Sequence, residues 1–277
     1  MTTEDLMRAY WTEKMEEAFA FMQEMRTYPI DESGEPMASL ADAVDGLEVQ
    51  FSGTLINNRH PRVFFIREGL IPRFQAVARE MNDRGWILKV EDGYRSPEMQ
   101  RAQSHDPRHF DLVLEKSKWE LGGRLPEPAF LLRRMSAVIA VRCRIGTHVS
   151  GSAIDVSVLD RATGDEIQRG GSYLEISART PMDSPFVSDN ERNNRQMITQ
   201  IFRRHGWHEY PWEFWHFSSG DCYAESLTNS GRPAQYGAVD FDGKELTPLS
   251  PDKSDELLVS EEFFHTQIEA SLKRQPR

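Results

Sequence analysis

The chain has 277 residues, of which 28% are charged, and a formal net charge of −11 at pH 7. This length can bury one sizeable core, and the acidity argues against nucleic acid or an anionic membrane as a partner. No run of about 18 apolar residues exists, so no transmembrane helix is expected. The N-terminus lacks the basic start and apolar stretch of a secretory signal, and only Cys143 and Cys222 are cysteines. Both features favour a cytoplasmic protein.

The first third of the chain predicts two helices and a connection. Residues 3–27 repeat apolar side chains at helical spacing and form an amphipathic helix, expected to pack on the core or on a second subunit. Residues 29–45 are rich in Pro, Gly and acids and read as a connection. A second helix is predicted over 66–84, regular from about Pro72 and ended by Gly85.

A strand followed by a helix start marks the first polar motif. Trp86–Val90 predicts a strand that ends in Asp92-Gly93-Tyr94-Arg95. Ser96 and the proline after it suit the first positions of a helix, which would hold Arg95 at a rigid strand-to-helix turn. Residues 105–125 are charged and predicted irregular, and 127–140 are predicted helical.

The second half of the chain predicts a strand beside a histidine. Ser152–Val158 alternates β-branched and smaller side chains, which places Asp155 opposite Ile154 and the following valines. Gly151 permits a tight turn, so His148 can fold back beside Asp155. A helix over 190–205, an alternating run from Trp207 to Tyr210 and the segment Glu213–Phe217 follow. The chain is polar from residue 228 and ends in a predicted helix over 259–273.

Four of these residues together fit a catalytic metal site. His148, Asp155 and His216 offer three ligands and leave a fourth position free for water, the pattern of catalytic zinc sites. Glu213 is a spare carboxylate that could take a proton from that water. In a regular strand Glu213 and His216 would point to opposite faces, so a bend is required. Two histidines and one carboxylate could also hold Fe²⁺, but the nearby Glu213 favours hydrolysis and one Zn²⁺.

The three motifs, in this order, resemble a known family. The chain resembles the D-alanyl-D-alanine dipeptidases of the VanX type, which belong to a wider group of zinc peptidases. The resemblance is carried by Asp92-Gly93-Tyr94-Arg95, by His148 through Asp155 and by Glu213-x-Trp215-His216. The resemblance covers residues 60 to 225. It implies an α+β fold with a central, mainly antiparallel sheet flanked by helices, as in hedgehog-like D,D-peptidases, with an added N-terminal helix and C-terminal extension.

The resemblance also implies roles for individual residues. His148, Asp155 and His216 match the zinc ligands, Glu213 matches the general base, and Arg95 matches the arginine that stabilises the oxyanion. Glu175 matches the acid that binds the substrate's free amino group. The motif residues Tyr94, Ser152 and Trp215 are expected to line the substrate site.

Departures from the family lie where substrate would be recognised. The family has Asp at the position of Glu175 and Ser at that of Gly146, and Ser96 stands where it has proline. We therefore expect zinc-dependent hydrolysis of a small peptide or amino-acid-derived amide, D-Ala-D-Ala or a close analogue. A metalloenzyme of small-molecule biosynthesis, a cell-wall D,D-carboxypeptidase or endopeptidase, and a zinc-bound binding module remain alternatives, although a binding module would require neither Glu213 nor Arg95.

The predicted organisation has three parts. Residues 1–45 hold the N-terminal helix and connection, 46–227 the catalytic domain, and 228–277 a polar extension with a short helix. Either terminal part could support a homo-oligomer.

Overall fold

A computed structural model describes residues 2–274. Met1 and residues 275–277, the outer ends of the two predicted terminal parts, lie outside the described residues. The helices are α1 (Thr3–Met25), α2 (Ile71–Asp83), α3 (Pro97–Ser104), α4 (Pro107–Glu120), α5 (Pro128–Val138), α6 (Asp189–Arg204), α7 (Cys222–Leu227), α8 (Pro251–Ser254) and α9 (Glu261–Arg274). The strands are β1 (Met37–Ser39), β2 (Val49–Phe51), β3 (Phe65–Arg67), β4 (Trp86–Asp92), β5 (Ala153–Asp160), β6 (His208–Tyr210), β7 (Glu213–Ser218), β8 (Val239–Phe241) and β9 (Leu246–Pro248).

The centre of the fold is a five-stranded sheet in the order β2-β4-β5-β7-β6. β2 runs parallel to β4, whereas the β4–β5, β5–β7 and β6–β7 pairs are antiparallel. Two small antiparallel pairs, β1–β3 and β8–β9, lie outside this sheet. The predicted α+β class with a mainly antiparallel central sheet is confirmed.

One face of the sheet carries the main hydrophobic core. The alternation predicted for β5 is confirmed, since Ile154, Val156 and Val158 all lie in this core, where they are fully buried. Residues of α2 and α6, such as Phe74 and Phe202, cover that face. The intervening position Asp155 therefore belongs to the opposite face, where the polar residues of the site collect.

The N-terminal helix packs against the rest of the chain. Thr2 and Asp5 form a capping box at its start, and its buried side chains join those of β6, α7 and the loop between β6 and β7 in a second cluster. Arg134 on α5 links α1 to the rest of the fold, because its guanidinium donates hydrogen bonds to both Glu16 of α1 and Glu120 of α4. The predicted packing of this helix on the core is therefore observed.

Two predicted elements were placed wrongly. Residues 105–125 are not irregular, since α4 covers most of them; Asp106 caps it, and Phe110, Val113 and Leu114 form its buried face. The charged residues between these apolar positions hid the helical period. Residues 66–70, predicted as the start of the second helix, belong instead to β3 and a 3-10 turn, whereas the regular helix begins at Ile71, close to the predicted Pro72.

The long segment between β5 and α6 is held by buried arginines. Arg169 donates to the carbonyls of Phe214 and Val156, on β7 and β5. Arg195 of α6 donates to the carbonyls of Arg169, Arg179 and Pro181 within the segment. These bonds to backbone atoms give an irregular segment a fixed position over the sheet.

The C-terminal residues also pack on the main body. Phe264 and Ile268 of α9 join the apolar cluster of α4 and α5, and Arg274 pairs with Asp111. Among residues 2–274 no helix combines the length and apolar character that crossing a membrane requires. The boundaries at 45 and 227 remain predictions.

Candidate metal centre

Three candidate ligands meet on the face of the sheet opposite the main core. Asp155 lies on β5, and His216 on β7 is its direct partner across the strand pair. His148 precedes β5 in a tight turn that includes Gly151, whose φ is 68°. This φ lies in the left-handed region that favours glycine, as predicted, and a Cβ there would also displace the end of the Met37 side chain.

The ligand atoms of these side chains converge. Asp155 Oδ1 lies 3.2 Å from His148 Nε2 and 3.0 Å from His216 Nδ1. One ligand atom from each residue can be chosen so that all three lie within 4.8 Å of one another, and all three side chains are buried. Within the described chain this is the one group of three His, Cys, Asp or Glu residues with such an arrangement. Two imidazole nitrogens and one carboxylate oxygen are the donor set of a catalytic zinc site.

Hydrogen bonds on the far side of each ring set its orientation. His148 Nδ1 donates to the carbonyl of Gly93 over 2.7 Å, which leaves Nε2 facing Asp155. His216 Nε2 lies 3.0 Å from Thr147 Oγ1, which leaves Nδ1 facing Asp155. Metal-binding histidines are commonly fixed in this way by a partner at the other ring nitrogen. The two rings are therefore oriented as ligands.

The charge states of the cluster also suit a cation. Burial lowers the pKa of His216, which favours the neutral imidazole that binds metals. Burial would raise the pKa of Asp155, but attraction and hydrogen bonds from His148 and His216 hold it well below its usual range. A neutral histidine beside an ionised carboxylate is the form in which each can donate electrons to a metal.

Glu213 reaches the same cavity through an irregularity in β7. Glu209 pairs with Phe217, but the next residue, Tyr210, pairs with Glu213, so the register between β6 and β7 shifts there. This shift supplies the bend that a spacing of three residues requires. The cavity has a volume of about 60 Å³, and its lining includes Arg95, His148, Asp155, Glu213, Trp215 and His216.

The carboxyl of Glu213 holds its proton more tightly than an ordinary glutamic acid. Burial and the nearby charge of Asp155 raise its pKa to about 8, against the opposing effects of Arg95 and Trp215. A carboxyl group with a pKa near neutrality is suited to both accepting and returning a proton.

Arg95 is fixed beside the cluster by acidic partners. Its Nε donates to Asp92 Oδ2 over 2.7 Å, and its Nη2 lies 3.4 Å from Asp155 Oδ2. A second register shift, between Val90 and Asp92, places Asp92 opposite Asp155. Burial would lower the pKa of the guanidinium, but the two aspartates raise it, so the group stays charged.

Two predicted substrate residues line cavities near the cluster. Trp215 lines both the metal cavity and a second cavity that adjoins it, and its ring stands edge-to-face with Tyr173 at 5.8 Å. Glu175 lines the second cavity, and Ser177 donates to its carboxylate over 2.6 Å. Leu174, which lines both cavities, has a φ of 66°. This φ is a strained conformation for leucine, and it lies immediately before Glu175.

The structure places Tyr94 and Ser152 away from the cavities. The hydroxyl of Tyr94 donates to the carbonyl of Val239 over 3.1 Å and accepts the N–H of Phe241 over 2.8 Å. Ser152 is fully buried, and its hydroxyl donates to Asp221 over 2.6 Å. Tyr94 therefore anchors β8, and Ser152 belongs to a hydrogen-bond network beneath the turn of His148. Neither side chain lines the two cavities beside the cluster, and their substrate roles remain predictions.

Three residues contact the cluster, or the aspartate that holds its arginine, without having been predicted to do so. Tyr173 donates to Asp155 Oδ2 over 3.1 Å, Arg62 pairs with Asp92 over 3.0 Å, and Thr147 contacts His216. Thr147 could have been found from its position next to His148. Tyr173 and Arg62 come from irregular segments with no motif, so only the tertiary structure brings them here.

Comparison with known proteins points to the same family. Residues 125–230 match the family model of peptidase M15, described as D-ala-D-ala dipeptidase. A D-alanyl-D-alanine dipeptidase of Synechocystis sp. is 27% identical over 241 residues, which cover 76% of this chain and 95% of that protein. A D-alanyl-D-alanine dipeptidase of Enterococcus faecium is 30% identical over 71 residues, 26% of this chain and 35% of that protein.

Among solved structures, a vancomycin-resistance D,D-pentapeptidase VanY in complex with Zn(II) is 15% identical to this chain, with a TM-score of 0.37. The match covers 75% of this chain and 92% of that one. The predicted resemblance is confirmed by the family match and the two relatives. The chain is therefore a metallopeptidase, and its residues 125–230 are similar to the peptidase M15 domain described as D-ala-D-ala dipeptidase.

Proposed function

We propose that this protein is a zinc-dependent dipeptidase that cleaves free D-Ala-D-Ala or a close analogue. The observation that carries the proposal is the shared cavity, where two oriented histidines and an ionised aspartate stand beside a glutamic acid with a pKa of about 8. The names of the two relatives support the same substrate class.

His148, Asp155 and His216 would hold one zinc ion. The donor set, the burial and the fixed ring orientations all fit that metal, and the metal cavity leaves space for a further group. Zinc supplies a Lewis acid that polarises a carbonyl and makes water easier to deprotonate. Tyr173 keeps Asp155 in place by donating to its second oxygen.

Glu213 is the proposed proton carrier of the reaction. Its carboxylate takes a proton from the attacking water and returns it to the nitrogen of the leaving amine as the amide bond breaks. The raised pKa suits this return step, because a carboxyl that holds its proton near neutral pH is available as an acid.

Arg95 is proposed to stabilise the oxyanion that forms when water adds to the carbonyl. Its guanidinium lines the cavity, and Asp92 fixes its Nε while the terminal nitrogens remain on the side of Asp155. A preorganised donor of this kind typically contributes about 10² to 10³ in rate. Glu175 is proposed to bind the free amino group of the dipeptide from the adjoining cavity.

The proposal is tested by amine release from D-Ala-D-Ala, with L-Ala-L-Ala and a blocked D-Ala-D-Ala as comparisons. We expect the zinc-loaded protein to cleave the free D,D-dipeptide alone, Glu213→Ala to keep zinc but lose nearly all turnover, and His148→Ala to lose the metal. Full activity of Glu213→Ala would remove the proposed base, and full zinc occupancy in His148→Ala would remove that ligand. If the zinc-loaded protein cleaves none of the three peptides, the dipeptidase proposal is wrong and a biosynthetic substrate takes its place.

A further inference from the structure

A second cavity adjoins the metal cavity and is built partly by the N-terminal helix. It has a volume of about 40 Å³ and shares Glu213, Trp215 and Gln103 with the metal cavity. Trp11 and Met15 of α1 form part of its wall. One ordered water needs about 10–15 Å³ of such space, so the cavity has room for a group of several atoms. Residues of α1 therefore form part of the wall of a cavity that adjoins the candidate metal site.

Polar atoms in this wall have no hydrogen-bond partner within the described chain. They are Nε1 of Trp11, Oε1 of Gln103 and Nδ1 of His109. Trp11 is 3% exposed and Gln103 is 7% exposed, so solvent does not readily satisfy them. Buried polar groups are nearly always paired in native proteins, and three unpaired groups around one cavity point to a ligand. A hydroxyl matches this set because it can accept from an indole N–H and donate to an amide oxygen.

Much of the remaining wall is apolar. Met15, Ile176 and Trp212 line the cavity, and the ring of Trp212 packs at an angle against Phe21 and Tyr210 beneath α1. A methyl group alone would leave much of this surface without contacts. The wall thus fits a side chain that is larger than methyl and carries carbon as well as a hydroxyl.

The cavity is held in shape by contacts outside it. Lys116 of α4 lies 5.8 Å from the ring centroid of Trp11 and 4.7 Å from that of Trp119. On the other side, Glu175 lies in the same wall directly after the strained Leu174. A preformed pocket with a few polar groups on an apolar wall is the usual form of a small-molecule site.

We propose that this cavity binds the side chain of the substrate's first residue, and that the preferred side chain is a small one with a hydroxyl, such as that of threonine. This rests on the proposed function and deepens it, since Glu175 in the same wall would take that residue's amino group. Trp11 donates to the hydroxyl, Gln103 accepts from it, and Met15 contacts the methyl. The helix α1 thereby selects the first residue of the dipeptide.

The test compares three ligands that separate size from hydrogen bonding. D-Threonine and D-valine have nearly the same shape, and D-alanine lacks the added atoms. We expect calorimetry with the zinc-loaded protein to show that binding weakens in the order D-threonine, D-valine, D-alanine. The Kd should rise by about tenfold or more at each step. The dipeptides that carry these residues before D-Ala should follow the same order in kcat/KM.

Two pairs of variants locate the effect. Trp11→Phe removes the hydrogen-bond donor and should abolish the preference for D-threonine over D-valine, while D-valine should still bind more tightly than D-alanine. Gln103→Met replaces glutamine by an unbranched apolar side chain and should have the same effect. Met15→Ala should weaken the preference for valine over alanine. Met25→Ala is the matched control, because Met25 is equally buried in the same helix and cluster but lies outside both cavity walls.

The outcomes separate this proposal from the dipeptidase proposal. If the amino acids bind in the expected order but no dipeptide is cleaved, the pocket assignment stands and the dipeptidase reaction is wrong. If D-alanine binds as tightly as the larger ligands, or none of the three binds, the pocket assignment is wrong even where D-Ala-D-Ala is cleaved. Equal effects of Met15→Ala and Met25→Ala would likewise overturn it, because the change would then be one of packing.

Discussion

At the scale of single residues, Glu213 shows how environment decides function. Its neighbour in the cavity is Asp155, whose pKa lies well below the usual range, while that of Glu213 rises to about 8. Two carboxyl groups of similar intrinsic acidity thus differ in charge state, because the histidines stabilise only one of the two negative charges. This difference suits the roles proposed for them, metal ligand for Asp155 and proton carrier for Glu213.

The raised pKa of Glu213 predicts a pH-dependent cost in the metal-free protein. Below about pH 4 the carboxyl is protonated in both states and costs nothing. As the pH rises from the ordinary value of 4.5 to about 8, the unfolded chain loses the proton first, so the free energy of unfolding falls. We expect Glu213→Gln to raise this free energy by on the order of 1–3 kcal/mol at pH 9.

Chemical denaturation of the metal-free wild type and Glu213→Gln at pH 4 and pH 9 measures this cost. The difference between the two proteins should be near zero at pH 4 and clear at pH 9. A constant difference at both values would mean that the carboxyl ionises normally in the folded state.

Thr147 illustrates a residue that acts through a ligand. Its hydroxyl lies 3.0 Å from His216 Nε2, so Thr147→Val should free that ring while preserving shape. We expect zinc affinity to fall by about 10- to 100-fold, measured by competition with a chelator. Thr199→Val is the control, since Thr199 is similarly buried in α6 but contacts no ligand. Equal zinc affinities of all three proteins would show that the Thr147 contact does not orient His216.

At the scale of elements, irregularities in the strands build the site. The register shift in β4 sets Asp92 opposite Asp155, and the shift between β6 and β7 brings Glu213 and His216 to one cavity. In regular strands the two side chains of each pair would lie on different faces of the sheet or at different positions along the strands. Such bulges are common next to active sites because they redirect side chains.

The hairpin of β8 and β9 is attached to the strand-to-helix turn of Arg95 by Tyr94. Tyr94→Phe removes a hydroxyl that bonds the carbonyl of Val239 and the N–H of Phe241, both buried. We expect a loss of about 1–3 kcal/mol in the free energy of unfolding, with kcat/KM changed little. Thermal unfolding and steady-state kinetics give the two readings. Unchanged stability with a large fall in kcat/KM would instead support the substrate role predicted from the motif.

At the scale of the whole molecule, the metal centre joins parts that are distant in sequence. The hydrogen bonds of this site come from residues 93, 147, 148, 155, 173 and 216. Of these, Tyr173 lies in the arginine-held segment between β5 and α6. Binding of a metal to this assembled site favours the folded state, because the unfolded chain has no comparable site.

Zinc should therefore stabilise the protein. At a free zinc concentration of about 100 times Kd, the free energy of unfolding should rise by about 2.7 kcal/mol, seen as a higher Tm than in excess chelator. His148→Ala should lose this response. His205→Ala should keep it, because His205 pairs with Glu80 on α2, outside the cluster. A zinc-dependent Tm in His148→Ala equal to that of wild type would argue that the ion binds elsewhere.

The sequence by itself determined the local parts of this protein. Three features that depend on residues near one another were predicted correctly: the period-2 pattern of β5, the glycine turn of His148 and the cap at Ser96. Local patterns failed in α4, where charged residues between the apolar positions obscured the helical period.

Only the tertiary structure decided how these parts meet. The shift that brings Glu213 to His216, the contact of Tyr173 with Asp155 and the wall that Trp11 adds to the second cavity all join segments far apart in the chain. Strand register and packing depend on the combined contacts of many residues, so no single motif encodes them. For the same reason the motif residues Tyr94 and Ser152 were expected to line the substrate site, although the fold uses them in its interior.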